Sequence, residues 1–214
     1  MAILKLFRIG SFLLVLLSFL SSLNRSEPDF LSDLLLYNAV QLALLLLSIY
    51  ALKGEDLRTR LSFELALFFW LAGSALSSLT AVYLFTGNFQ LASEFLYLLF
   101  YPFIFIAIPR LLNSNISSSF LENIDAAIVA LGVSALASAL LMNPVLPNFN
   151  GDQLETFFAI IFPVADIVLI ALVISINPFH QINWRSFILT FGIFAFAAAD
   201  FVNLWLSRNG NYSF

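Results

Sequence analysis

Long apolar runs separated by short polar segments fill most of this chain. Seven of them fall at about residues 9–23, 31–52, 62–86, 90–112, 121–143, 154–177 and 186–207. A helix that crosses a bilayer needs roughly 20 such residues. The runs are continuous, which suits helices and not the alternating segments of about 10 residues expected of barrel strands. The pattern predicts an all-α, polytopic bundle forming one integral membrane domain over residues 1–214. The first run is the shortest and follows Lys5 and Arg8, as a signal peptide would. No small-x-small cleavage motif follows it in Ser21–Asp29, so an uncleaved helix is expected.

Composition points the same way. Apolar residues make up 61% of the chain and charged residues 10%, with a mean hydropathy of +0.97. Soluble domains carry about 25% charged residues. The net charge of −4 is small and offers no clustered basic footprint for nucleic acid. There is no Cys, which removes disulfides, iron–sulfur clusters and thiolate chemistry. The single histidine, His180, excludes a bis-His haem or a His-rich metal site, and no cofactor or metal is implied.

Basic residues set the expected orientation, because cytoplasmic loops are enriched in them. With the N-terminus inside, Lys5, Arg8, Lys53, Arg58, Arg60, Arg110 and Arg185 lie inside, against Arg25 and Arg208 outside, 7 to 2. The expected location is the plasma membrane, multi-pass, with a cytoplasmic N-terminus. The segment Lys53–Arg60 reads most simply as an orientation signal.

The third and fourth runs resemble the fifth and sixth at an offset of about 61 residues. Glu64-Leu65-Ala66 corresponds to Asp125-Ala126-Ala127, and Tyr101-Pro102 to Phe162-Pro163. The turns between runs also correspond, Thr86–Phe89 with Pro147–Gly151, and both are rich in turn formers. The seventh run ends in Asn209-Gly210-Asn211-Tyr212, another such turn. Tandem hairpins of this kind often underlie membrane folds. A third hairpin is therefore expected to begin here without its returning helix, and the chain is expected to be part of a longer protein with at least eight spans.

Carboxylates inside the apolar runs are the candidate chemistry. Asp166 lies near the centre of one run, where a charge costs about 2.5 kcal/mol or more. Asp200 and Glu94 fall in the outer halves of their runs, and Asn203 lies three residues after Asp200 on the same helix face. Glu94 and Tyr101 are seven residues apart, two helical turns, and share a face. No Lys or Arg lies deep in any run to pair with these acids. Three readings stand: an outward-facing site for a cation, metal or amine; a proton path; or neutral acids hydrogen-bonding between helices. Pro102 and Pro163 each remove a backbone donor inside a helix, and read as kinks lining a cavity or as packing kinks. Glu64 and Asp125 sit near helix starts, where a capping or interfacial role is expected.

Other chemistries find no support. The two lysines, Lys5 and Lys53, lie at the inner side, so no retinal Schiff base is available within a run. Phosphate-loop, dinucleotide, nucleophile-elbow and zincin motifs are absent.

Four segments share a pattern with a known family. Ala92-Ser93-Glu94-Phe95-Leu96-Tyr97-Leu98-Leu99-Phe100-Tyr101-Pro102 resembles an "AD-x-x-Y-L-x-x-Y-P" helix. Asn123–Ile128 resembles "L-D-A-x-I", Phe162–Ile170 "Y-P-x-x-D-x-x-L-L", and Ala198–Phe201 "A-D-x-x-Y". In this order they resemble the multispanning N-terminal membrane domain of bacterial, notably actinobacterial, GGDEF and EAL signalling proteins. The resemblance covers about residues 65–212. Glu94 stands where Asp is usual and Phe162 replaces a tyrosine, and no GGDEF or EAL sequence is present. The resemblance implies a sensory or anchoring input role, with cyclic di-GMP synthesis or hydrolysis in a longer parent protein that is expected to be a homodimer.

The expectation is a non-enzymatic membrane input module, with Glu94, Tyr101, Asp166, Asp200 and Asn203 lining an outer-half pocket for a small or cationic ligand. A small proton- or cation-coupled transporter and a passive anchor and dimerisation platform are the alternatives.

Overall fold

The computed structural model describes residues 2–22, 29–83, 88–112, 153–176 and 184–208, with isolated positions between 128 and 139. Among the described residues the chain is helical, with no strand. The helices are α1 (Ala2–Ser22), α2 (Phe30–Ala51), α3 (Leu57–Tyr83), α4 (Asn88–Leu112), α5 (Gln153–Ile176) and α6 (Trp184–Arg208). Three of them, α2, α3 and α4, are long and apolar enough to cross a membrane; Phe7–Ser21, Ile160–Ile174 and Phe187–Asp200 are shorter apolar stretches. Apart from those isolated positions the fifth apolar run lies outside the described residues, as do Asp125, His180 and the turns at 147–151 and 209–212.

The chain divides into two compact units, the first running to Ala107 and the second from Ile108 to Tyr212. In the first unit α1 and α3 each pack on α2; in the second α5 packs on α6.

Within the first unit, α1, α2 and α3 are apolar outside and small or polar inside. Eight large apolar side chains of α1 are exposed, Phe12 at 69% among them, while Ser11 is buried. Helix α2 buries Gln41, Ala43 and Ser48, and α3 buries Thr59, Ala66, Gly73, Ser74 and Ser78. Burying a Leu or Phe is worth about 1.5–3 kcal/mol in water. Eight half-exposed side chains on one helix would forfeit roughly 6 kcal/mol or more, comparable to the ~5–15 kcal/mol that holds a whole domain together. That arrangement suits hydrocarbon around the helices. There, close approach of small residues and hydrogen bonds between helices hold the bundle together.

Helix boundaries follow local chemistry. Asp56 caps α3, accepting the Thr59 N–H at 3.2 Å and pairing with the Thr59 hydroxyl. The helix therefore begins at Leu57, five residues before the apolar run expected at 62. Glu64 consequently lies two turns in, not at the helix start, and meets Arg60 at 2.8 Å. Arg60 and Glu64 are one helical turn apart, the spacing at which an ion pair supports its own helix. At the other boundary, Asn88 and Phe89, expected in a turn, already belong to α4.

Helix α2 opens with a π-helical segment, Phe30–Leu36, in which the Tyr37 N–H reaches back to the Ser32 carbonyl. Asp29 and Asp33 brace this start: the Asp29 N–H donates to Asp33 Oδ2 at 2.7 Å, and the Ser32 hydroxyl donates to Asp29 Oδ2 at 3.1 Å. The switch from π to α geometry at Tyr37 sets the helical phase of Asn38 and Gln41.

Candidate functional site

The second unit holds the acid pair. Asp166 projects from α5 and is fully buried, at 0% exposure. It lies one turn after Pro163, which is also buried. Proline has no N–H, so the carbonyl four residues before it loses its helical partner and the backbone near Asp166 becomes more polar. Asp200 stands on α6, half-buried, within hydrogen-bonding reach of the Asp166 carboxyl. A hydrogen bond between two carboxyl groups exists only while one of them carries a proton. The pair can thus hold one shared proton between two packed helices. Asn203 follows three residues later on α6, and its side chain lies outside the described residues.

The first unit holds the other predicted residues. Tyr101 is 2% exposed on α4, its ring edge-on to Phe100 at 5.3 Å and tilted against Phe105 at 6.1 Å. Glu94 is half-buried two turns earlier, and interacts electrostatically with Tyr97 between them. Pro102 is exposed, unlike Pro163, its expected counterpart in the sequence pattern. The five residues expected to line one pocket are therefore divided by unit, with Glu94 and Tyr101 in the first and Asp166, Asp200 and Asn203 in the second.

A polar network in the first unit has no counterpart among the residues expected from the sequence. The Asn38 side-chain amide donates to the Leu34 carbonyl at 2.8 Å and the Asp33 carbonyl at 3.3 Å, beside the π-to-α junction, and reaches Ser78 on α3 at 3.3 Å. Ser74 donates its hydroxyl to Asn38 Oδ1 at 2.9 Å, and Gln41 Nε2 donates to Ser74 at 3.0 Å. The Tyr97 hydroxyl, from α4, lies within hydrogen-bonding reach of Ser74 and Ser77.

The approach of α4 to α3 depends on Gly73, since a Cβ there would stand 3.0 Å from Tyr97 Cδ1 and 3.2 Å from the Ser93 carbonyl. Trp70 completes the contact, its ring 4.9 Å from Tyr97 and 5.2 Å from Phe100. Other buried serines bond within their own helix, Ser48 to the Leu45 carbonyl and Ser93 to the Gln90 carbonyl, each at 2.7 Å. Ser74 differs in linking α2, α3 and α4.

One sequence signal could have found this network. Asn38 and Gln41 are spaced three apart in an otherwise apolar stretch, and Gly73, Ser74, Ser77 and Ser78 form a small-residue cluster of the kind that lets membrane helices approach.

No protein-family model matches the chain, and no similar curated protein or solved structure was found.

Proposed function

We propose that this chain is a membrane-embedded input module that responds to the outside through its intramembrane acids. The observation that carries the reading is the Asp166–Asp200 pair, two carboxyls within hydrogen-bonding reach between packed helices. A module of this kind works by favouring one helix arrangement over another, and its stimulus must act differently on the two. Loss of the shared proton does that by breaking the link between α5 and α6, and a cation in its place does so by replacing the hydrogen bond with a longer bridge. The proposed domain has seven spans with the N-terminus inside; in that topology Glu94 and Tyr101 of the first unit, and Asp166, Asp200 and Asn203 of the second, each belong to the outer half of their spans. The order of segments resembling the membrane domain of GGDEF and EAL proteins supports signal input over transport, with cyclic di-GMP turnover in a longer, dimeric parent.

The test is a pH step applied to the chain in liposomes, with spin labels on α5 and α6. The expected result is a change in the α5–α6 distance that Asp166→Asn and Asp200→Asn both abolish, without proton flux across the membrane. Sustained flux would make the chain a transporter. An unchanged distance would reduce it to an anchor.

A further inference from the structure

We propose that the polar network joining α2, α3 and α4 is a binding site for a small monovalent cation, with Gln41 Oε1 as its innermost ligand. The argument rests on hydrogen-bond direction. Asn38 is oriented by the Leu34 and Asp33 carbonyls, which only accept, so its amide nitrogen faces them. Its Oδ1 then faces Ser74, and the one Ser74 proton goes there. Ser74 is left only able to accept. Gln41 must therefore offer Nε2 to Ser74, and its amide cannot be turned over without breaking that bond. The consequence is a Gln41 Oε1 that points elsewhere, in a residue only 8% exposed, with no hydrogen-bond donor reaching it. A buried carbonyl in this condition costs about 1–3 kcal/mol unless something donates to it or is coordinated by it.

The surroundings select the sign of what binds. The Ser74 hydroxyl meets both Asn38 and Gln41, the Ser78 hydroxyl meets Asn38, the Tyr97 hydroxyl reaches Ser74 and Ser77, and the Glu94 carboxyl interacts electrostatically with Tyr97. No Lys, Arg or His lies between residues 30 and 50 of α2, 61 and 83 of α3, or 88 and 109 of α4. Such a set repels anions and suits a hard, oxygen-seeking cation. One carboxyl among neutral oxygens balances a single positive charge, and among the described residues no cluster of three or more acidic or histidine side chains offers a divalent or transition-metal site. Two kinds of ion share this chemistry, an inorganic one such as sodium and a small alkylammonium such as methylammonium.

The site is separate from the Asp166–Asp200 pair, and it survives if the input-module reading fails. The experiment is thermal unfolding of the whole chain in nanodiscs, at constant ionic strength, in sodium, methylammonium or N-methylglucamine chloride, the last being too large to enter. The expected result is a midpoint raised by about 2–4 °C in sodium or methylammonium, since a ligand bound only by the folded state stabilises it. The smaller shift of the two identifies the poorer ion. Gln41→Met and Glu94→Gln should abolish the difference between salts, and Asp166→Asn should leave it intact. Gln41→Glu, which keeps an oxygen at the Oε1 position and adds charge, should enlarge it, and this variant decides the matter if Gln41→Met does not fold. Equal midpoints in all three salts, a salt difference lost in Asp166→Asn but kept in Gln41→Met, or one that Gln41→Glu leaves unchanged or diminishes, would overturn the proposal.

Discussion

Gly73 and Tyr97 are in contact across α3 and α4: a methyl group placed on Gly73 would lie 3.0 Å from the Tyr97 ring. The tyrosine ring cannot easily retreat, because Trp70 stands 4.9 Å away. The same approach brings the Tyr97 hydroxyl to Ser74, the residue after Gly73. A missing side chain thus positions the polar network.

Gly73→Ala should therefore destabilise the chain by about 1–3 kcal/mol, the usual cost of overpacking a tight contact. Gly192 in α6 provides the control, since a Cβ there meets nothing within 4 Å. Gly192→Ala should be neutral or stabilising by up to ~1 kcal/mol, because it removes backbone freedom from a helix interior. Thermal unfolding in detergent separates the two. Equal effects would show that the α3–α4 contact does not depend on the missing Cβ.

Ser74→Ala should cost more than Ser93→Ala or Ser48→Ala, although all three serines are buried. Ser74 joins three helices, whereas the other two hydroxyls bond to carbonyls of their own helix. Interhelical hydrogen bonds in membranes average about 0.6 kcal/mol, so losing three predicts ~2 kcal/mol at Ser74 and a few tenths elsewhere. The ranking from unfolding midpoints is the check.

Asp56→Ala tests a different end of α3. Asp56 accepts the Thr59 N–H at 3.2 Å, and Thr59 is fully buried. Loss of such a cap costs about 1 kcal/mol. Asp56→Asn, which keeps an accepting oxygen, should recover most of the loss in the same measurement.

The helical, apolar character of the chain was legible because hydropathy reports the surrounding medium directly: the runs at 62–86 and 90–112 became α3 and α4. Their starts were not legible. Asp56 and Thr59 begin α3 by polar capping, which an apolar count passes over, and this carried Glu64 away from the helix start and onto Arg60. Intramembrane acids stood out because a charge in lipid is expensive, and the Asp166–Asp200 proximity follows from the packing of two such helices. Asn38, Gln41 and Ser74 did not stand out, because neutral polar residues cost far less to bury. Their importance comes from the π-helical start of α2, which fixes the face they present and which no residue pattern announces.

The acid pair makes a prediction of its own. A bond between Asp166 and Asp200 requires a proton, and raising the pH removes it. The wild-type chain should therefore lose stability as pH rises through the range in which the pair gives up that proton. Asp200→Asn replaces the acid with a permanent donor of nearly the same shape, so an amide-to-carboxylate hydrogen bond can persist at every pH. Its unfolding midpoint should be the flatter function of pH, and above the transition it should exceed that of the wild type. Asp200→Leu removes the donor, leaves the buried Asp166 carboxyl without this bond, and should be less stable than Asp200→Asn throughout. If the wild-type and Asp200→Asn curves run parallel, the two acids share no proton, and the input function would have to reside elsewhere in the bundle.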